Sequence, residues 1–590
     1  MVKKLLLLIE WMTNSLFSEF PFFLFVYALL WQNTLFAVKE CYVGDIILYS
    51  VLSVFHAFLF TAFVYICRWK FIKVLLCIIF LISCIANIFL RIRFSSNISP
   101  SVIQLMMETN NQESREFLDN YLLNYSSVCF LLLFLFMIVI YAIVEKVYRK
   151  KHAIHRHWLI SILIFVFIGG CVSCVHYISM FNCKNVIELD YWIEERGAKA
   201  MDNFSNIVYC IYDVCLCNAE TVKAVNATSL AYTKNSTCSE TDTLNVVLVV
   251  GESYIKWHAG IYGYENETTP YLDKELRKGN LFLFQDVISP YNLTSKTLRN
   301  VFSTNSCSLG ENWSDYPFFP MLFRQAGYEV TFWDNQYDPL SREGFDFSLN
   351  SYLHNSQISE MTYSATNNMK KAIDGDLVDD FFSNDECRKG RLRFSIFHLM
   401  GQHVAYYNRF PHGGLFDYFN ADSIRRNDSY LNQEKRQLIA DYDNATRYND
   451  YVIYSIIQHY RQENSVIVYF SDHGEEVYDY QDFSGRNWKE PLSNDLLRFQ
   501  FEVPFIIWCS DTYIKNNPKT ISQIKSALCK PLMLDNVCHL MMHLGQITST
   551  YYHPERDVLN DNYICPPRIV NDKYNVEDVR KESSIKYIIH

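Results

Sequence analysis

The stretch "SVIVYFSDHGEEVYDY", residues 465–480, ends an apolar run on Asp472-His473-Gly474-Glu475. Val466 to Phe470 carries β-branched and aromatic side chains without a polar break, which reads as a strand buried on both faces. Open α/β sheets bind ligands outside the carboxyl ends of their strands, which is where this run delivers an acid and an imidazole. Five other runs resemble it: "NVVLVVG" (245–251), "NLFLFQDV" (280–287), "YEVTFWD" (328–334), "RFSIFHL" (393–399) and "VPFIIWC" (503–509). Helical segments fit between most of them, at 315–326, 368–383 and 433–459. The alternation predicts an α/β domain over 243–590, with a mainly parallel sheet covered by helices on both faces.

The polar residues cluster at the predicted strand tips. The first strand ends on Gly251-Glu252-Ser253, the 393–399 strand leads into "FHLMGQH" with His398 and His403, and the 465–471 strand ends on Asp472-His473. Each residue alone has an ordinary reading, as a helix cap or a hydrogen-bonded structural histidine. Carboxylates and neutral imidazoles gathered at one sheet edge need a cation between them, and Zn²⁺ accepts that mix of oxygen and nitrogen. In "VISPYNLTSKTLRNVFSTNS", Thr294 opens a segment that can be helical. A hydroxyl there faces backbone N–H groups that favour an anion, and a metal on its oxygen would activate it for attack on phosphorus. On helix signals alone, the reading of Thr294 as an N-cap stands ahead of the nucleophile reading.

Upstream the character changes. Five apolar runs, at about 16–37, 44–67, 71–91, 121–145 and 158–180, are each long enough to cross a bilayer, which takes about 20 residues. They predict a five-span transmembrane domain over 1–180, with an outer loop at 92–120, and a linker with interfacial segments over 181–242. The loops "CRWKFIK" (67–73) and "EKVYRKKHAIHRH" (145–157) are basic and therefore cytoplasmic, which puts 92–120 and everything after about 180 on the outer side. Apart from His56 and His176 the span interiors lack the ionisable residues that mark a transport path. Eleven of the 18 cysteines lie beyond residue 180, in a compartment that permits disulfides, and "CIYDVCLC" (210–217) could form a local bridge. The formal net charge of −10 argues against a nucleic-acid binder.

The motifs "VVLVVGES…GIYGYENETTPYL", "NLTSKTLRNVFS", "FWDNQYD", "FHLMGQHVAYYNRFP" and "YFSDHGE…VPFIIW" occur in this order. Together they resemble the phosphoethanolamine transferases of the bacterial envelope, within the alkaline-phosphatase/sulfatase superfamily. That group includes lipid A modifiers and the mobile colistin-resistance enzymes. The resemblance implies that Glu252, Thr294, Asp472 and His473 hold a zinc ion and that Thr294 becomes phosphorylated. It implies that His398 and His403 handle the phosphoryl group or a second zinc, and that Thr109 and Glu113 lie near the donor head group. It also implies a monomeric, multi-pass inner-membrane protein with a periplasmic catalytic domain. Such a protein moves phosphoethanolamine from phosphatidylethanolamine to lipid A or lipopolysaccharide-core sugars, an activity linked to polymyxin resistance.

The chain departs from the family pattern at four places. Asn292-Leu293 stands for the usual Cys-Gly, so that disulfide is absent or replaced. Gly485 stands near an expected histidine, Leu340 near an expected lysine, and Leu105 for an expected asparagine. These departures bear on donor binding and on a second metal, and they leave the first metal shell intact. The competing readings are a phosphoglycerol transferase or phosphodiesterase with the same metal shell, and a membrane sensor that keeps the fold without the chemistry. A sulfatase is disfavoured, because no Cys-x-Pro/Ser-x-Arg sequence occupies the nucleophile loop.

Overall fold

The computed structural model describes residues 20–36, 43–67, 69–94, 157–195, 201–240, 242–337, 352–486 and 492–581, with five isolated positions besides. The chain divides into two compact units, one of 1–219 with 341–347, the other of 220–340 with 348–590.

The first unit is helical: α1 (Phe20–Phe36), α2 (Val43–Ile66), α3 (Lys70–Phe94), α4 (His157–Phe181), α5 (Val186–Glu195) and the start of α6 (Asn203–Tyr232). Among the described residues two segments are long and apolar enough to cross a membrane, Val43–Tyr65 and Phe71–Ile88, rather than the five expected. Phe20–Gln32 and Phe167–Phe181 are shorter apolar helical segments. At 1.5 Å per residue the 17 described residues of α1 reach about 26 Å. The run 121–145 lies outside the described residues, as do Leu105, Thr109, Glu113 and Leu340. Asp202 caps α6, accepting from the Phe204 and Ser205 amides, and its Oδ1 also lies 3.2 Å from His56 Nδ1. His56 is therefore a buried partner of a helix cap. Cys210, Cys215 and Cys217 all lie on α6, and no disulfide links any described cysteine. Positions two and five apart lie on different helix faces, and positions seven apart share a face but stand about 10 Å apart along the axis, which removes the local bridge expected at 210–217.

The second unit is built on a seven-stranded sheet. Its strands are β1 (Leu244–Gly251), β2 (Leu281–Leu283), β3 (Glu329–Asp334), β4 (Ala365–Thr366), β5 (Leu392–His398), β6 (Ser465–Ser471) and β7 (Phe505–Cys509). The spatial order is β2-β7-β6-β1-β5-β3-β4. Pairs β6–β1, β1–β5, β5–β3 and β3–β4 are parallel, whereas β7 runs antiparallel to both β6 and β2. The sheet is thus mixed but mostly parallel. The expected 280–287 strand stops at Leu283; Val287-Ile288 leaves the sheet and pairs in parallel with Leu532-Met533.

All eight residues of β1 are buried, as its unbroken hydrophobicity requires. Val246, Leu248 and Val250 point into one core, with Leu298 and Val301 of α8 (Thr294–Val301) and Phe319, Leu322 and Phe323 of α9 (Phe319–Gln325). Val247 and Val249 point into the other, with Leu377 and Phe381 of α10 (Asp374–Ser383) and Val452, Ile453 and Ile456 of α11 (Gln433–Tyr460). Both faces are therefore covered by helices. Because β1, β5, β3 and β6 are mutually parallel, their carboxyl ends share one edge.

Candidate active site

Sheet register brings the first carboxylates together. Gly251 pairs with Ser471, so Glu252 and Asp472 leave adjacent parallel strands at one level, and the Asp472 amide donates to the Gly251 carbonyl at 3.1 Å. Glycines allow the crowding. A Cβ on Gly251 would stand 2.2 Å from the Tyr469 hydroxyl, and one on Gly401 would stand 2.8 Å from the backbone of Glu252. Ser253 adopts a left-handed φ of 54°, from which its amide donates to Asp472 Oδ1 (3.1 Å) and its hydroxyl to Glu252 Oε1 (2.6 Å).

Thr294 completes the cluster. It is the first residue of α8, and the N-cap position falls on Leu293, which offers no side-chain cap. The N-cap reading of Thr294 therefore fails: its Oγ1 donates to Glu252 Oε2 at 3.0 Å and stands 3.2 Å from His473 Nε2. The Asn292 side chain is buried and donates to Gln500 Oε1 at 2.8 Å, a polar tie at the position where the family pattern has a cysteine.

Glu252, Asp472 and His473 are fully buried, and one ligand atom from each lies within 4.8 Å of the others. Asp472 Oδ2 is buried without a hydrogen-bond partner among the described residues. Burial and the Glu252 charge push the Asp472 carboxyl well above the usual carboxylate range. Burial lowers His473 to about 4, so its ring is neutral at pH 7. Its Nδ1 lies 2.7 Å from the Gly474 carbonyl, which takes the ring proton and leaves Nε2 as a bare donor atom. Two buried carboxylates, a neutral imidazole and a threonine oxygen suit a divalent cation: the orphaned carboxylate oxygen and the Nε2 lone pair lie within 3.3 Å of each other.

The two other predicted histidines separate. His403 is half-buried, and its charge acts on both Glu252 and His473. His398 sits one strand away with its Nδ1 2.9 Å from Asp334 Oδ1; the other Asp334 oxygen meets His354 Nε2 at 2.8 Å. These imidazoles hold the Asp334 carboxyl below the usual range although burial alone would raise it. Sequence reading missed two further groups. Gln336 donates to Glu252 Oε2 (3.1 Å) and to the Leu399 carbonyl (2.8 Å), and Arg486 Nη1 stands 3.1 Å from His473 Nε2. Gln336 lay within the quoted "FWDNQYD". Arg486 directly follows Gly485, the position flagged for a missing histidine.

A mostly parallel sheet carrying this set at its carboxyl edge defines the alkaline-phosphatase/sulfatase class, and the sulfatase family model matches residues 244–531. The model described as phosphoethanolamine transferase EptA/EptB matches residues 54–193. Among curated relatives, phosphoethanolamine transferase EptC of Escherichia coli is 27% identical over 549 residues, 90% of this chain and 89% of that protein. The Kdo(2)-lipid A phosphoethanolamine 7''-transferase of Escherichia coli is 28% identical over 306 residues, 48% of each chain. The crystal structure of the C-terminal periplasmic domain of Escherichia coli EptC matches at 27% identity with a TM-score of 0.50, covering 58% of this chain and 94% of that domain. Over most of its length the chain is similar to the phosphoethanolamine transferases of the alkaline-phosphatase/sulfatase superfamily.

Proposed function

We propose that the protein is a multi-pass inner-membrane enzyme that transfers phosphoethanolamine from phosphatidylethanolamine to lipid A or core lipopolysaccharide, using Thr294 as nucleophile in a periplasmic catalytic domain. The observation that carries this is the Thr294 hydroxyl, fixed between Glu252 and His473 at an uncapped helix N-terminus. The order of the two family matches, membrane region then sulfatase-like domain, supports the membrane setting.

Glu252, Asp472, His473 and Thr294 would hold one zinc ion. The ion would lower the pKa of the threonine oxygen and offset charge on the phosphoryl group. Glu252 Oε2 accepts the Thr294 hydroxyl hydrogen and so aims the oxygen lone pairs away from the carboxylate. Thr294 Oγ1 attacks phosphorus, its bond to the diacylglycerol oxygen breaks, and that oxygen leaves with a proton. The phosphoethanolamine group then sits on Thr294. An acceptor hydroxyl or phosphate attacks the same phosphorus, with His403 placed to take its proton. The amide ends of α8 favour the charge that develops on the phosphoryl oxygens. Held at the bilayer, the site meets two lipids without collecting them from solution. His398 takes a supporting part in this reading, orienting Asp334 beside the site, and Thr109 and Glu113 are kept for the donor head group.

Peptide mass spectrometry on the detergent-purified protein tests it. Incubation with phosphatidylethanolamine should add one phosphoethanolamine group to Thr294, and Thr294→Ala should abolish both adduct and transfer. Undiminished transfer by Thr294→Ala would remove the nucleophile assignment. An adduct formed from phosphatidylglycerol instead would favour the phosphoglycerol reading.

A further inference from the structure

Arg486 follows Gly485, which has a left-handed φ of 118° and ends the two-residue strand Ser484–Gly485 paired with Glu476–Val477. This small hairpin returns the chain to the site from which it left, 13 residues after His473. Arg486 Nη1 stands 3.1 Å from His473 Nε2, and Thr294 Oγ1 stands 3.2 Å from the same nitrogen. The guanidinium is therefore within two hydrogen-bond lengths of the nucleophile. Its charge also acts on Glu252, on Glu475 and on Tyr406.

His473 Nε2 has one lone pair. Its Nδ1–H is committed to the Gly474 carbonyl, so that lone pair is what Arg486, a donor only, engages. A cation held by His473 must take the same lone pair. Metal and guanidinium therefore exclude each other at this atom, and filling the metal site must displace Arg486 by a short distance while leaving it charged.

We infer that Arg486 is the phosphoryl-oxygen clamp of this chain, parked on His473 Nε2 until a cation takes that nitrogen and then turned onto the phosphate beside Thr294. A planar fork of N–H donors matches two phosphoryl oxygens. In phosphoryl transfer the charge spreads over those oxygens, so the clamp strengthens in the transition state. The guanidinium cannot serve as a proton shuttle or bind a second cation. In this chain the position next to Gly485 thus supplies fixed positive charge. The inference rests on the proposed phosphoryl transfer at Thr294.

Three forms of the full chain in detergent test it: wild type, Arg486→Ala and Arg486→Lys. Zinc affinity is read by chelator competition, the affinity of the zinc-loaded protein for inorganic phosphate by calorimetry, and the rate of Thr294 modification by peptide mass spectrometry. Arg486→Ala should bind zinc as tightly as wild type or tighter, since its competitor is gone. It should lose at least about tenfold in phosphate affinity and about a hundredfold in modification rate. Arg486→Lys should recover part of both, as a point charge without the fork. Unchanged phosphate affinity, or a loss of modification that follows a loss of zinc, would overturn the clamp. A wild type that binds zinc and phosphate but never modifies Thr294 would instead sink the transfer reading, and the phosphate measurement would still decide on Arg486.

Discussion

Two buried carboxylates on neighbouring strand tips are costly unless something positive lies between them. In the metal-free protein the cost appears as the raised carboxyl of Asp472. Burial and the Glu252 charge keep a proton there at pH values where an exposed aspartate has lost it. A bound metal needs that proton gone. Zinc affinity should therefore rise with pH for as long as that proton must be displaced, by up to about tenfold per pH unit for one displaced proton. Calorimetry in buffers of different ionisation enthalpy should register about one proton released per zinc; a proton count of zero would contradict a proton held on Asp472. Gln336 acts on the same pair from behind. Its amide fixes Glu252 Oε2 against the Leu399 carbonyl. Removing such a support typically costs 10- to 100-fold in metal affinity, so Gln336→Leu should weaken zinc by about tenfold with the fold intact. Equal affinity in the two proteins would show that Gln336 does not orient the ligand.

At the scale of elements, α7 (Pro270–Lys278) shows how the second unit is pinned together. Its own N-cap, Thr269, makes no side-chain cap. The missing acceptor comes from α11: Asp450 accepts from the Tyr271 amide at 2.8 Å and the Leu272 amide at 2.9 Å. Asp450→Ala should cost about 2 kcal/mol, since it strands two helix N–H groups and empties a buried site. The midpoint of thermal unfolding would fall accordingly. Burial also raises the Asp450 carboxyl to about 7. Between roughly pH 4 and 7 the folded protein holds a proton there that the unfolded chain, with an ordinary aspartate, does not. That contribution is full below pH 4 and is lost as pH rises through 7. Asp450→Asn, neutral throughout, should lose less stability than wild type between pH 5 and pH 8. A parallel decline in both would place the slope on other groups.

The elements also show what was legible beforehand. Strands with no polar break, such as 245–251 and 465–471, emerged within a residue of their ends, because only burial on both faces permits such sequences. Glu252, Asp472 and His473 were readable because a parallel sheet sends its strand tips to one edge. The reversal of β7 was not readable: its apolar run has the same composition in either direction. Nor was the exit of Val287-Ile288, which depends on a partner strand at 532–533. Arg486 lies in a short hairpin without periodicity, and only its nearness to the position of the missing histidine pointed towards it.

For the whole molecule the decisive quantity is the number of membrane crossings, because its parity decides which side the catalytic unit faces. By their excess of Lys and Arg the loops 67–73 and 145–157 are expected on the cytoplasmic side, with Lys3 and Lys4, which requires 121–145 to cross. Helices α1 to α4 account for four of the five apolar runs. If 121–145 also crosses, the count is odd, and the unit carrying Thr294 lies opposite the N-terminus, in the periplasm with its lipid acceptor. If it does not cross, the count is even and the unit faces the cytoplasm, away from that acceptor. A reporter fused after residue 590 separates these cases. An alkaline-phosphatase reporter, which works only after export, should be active there, and a fluorescent reporter that matures only in the cytoplasm should stay dark. The reverse pattern would refute the periplasmic assignment while leaving the geometry of the site untouched. Deleting 121–145 should then invert both signals, since removing one crossing changes parity and nothing in the catalytic unit.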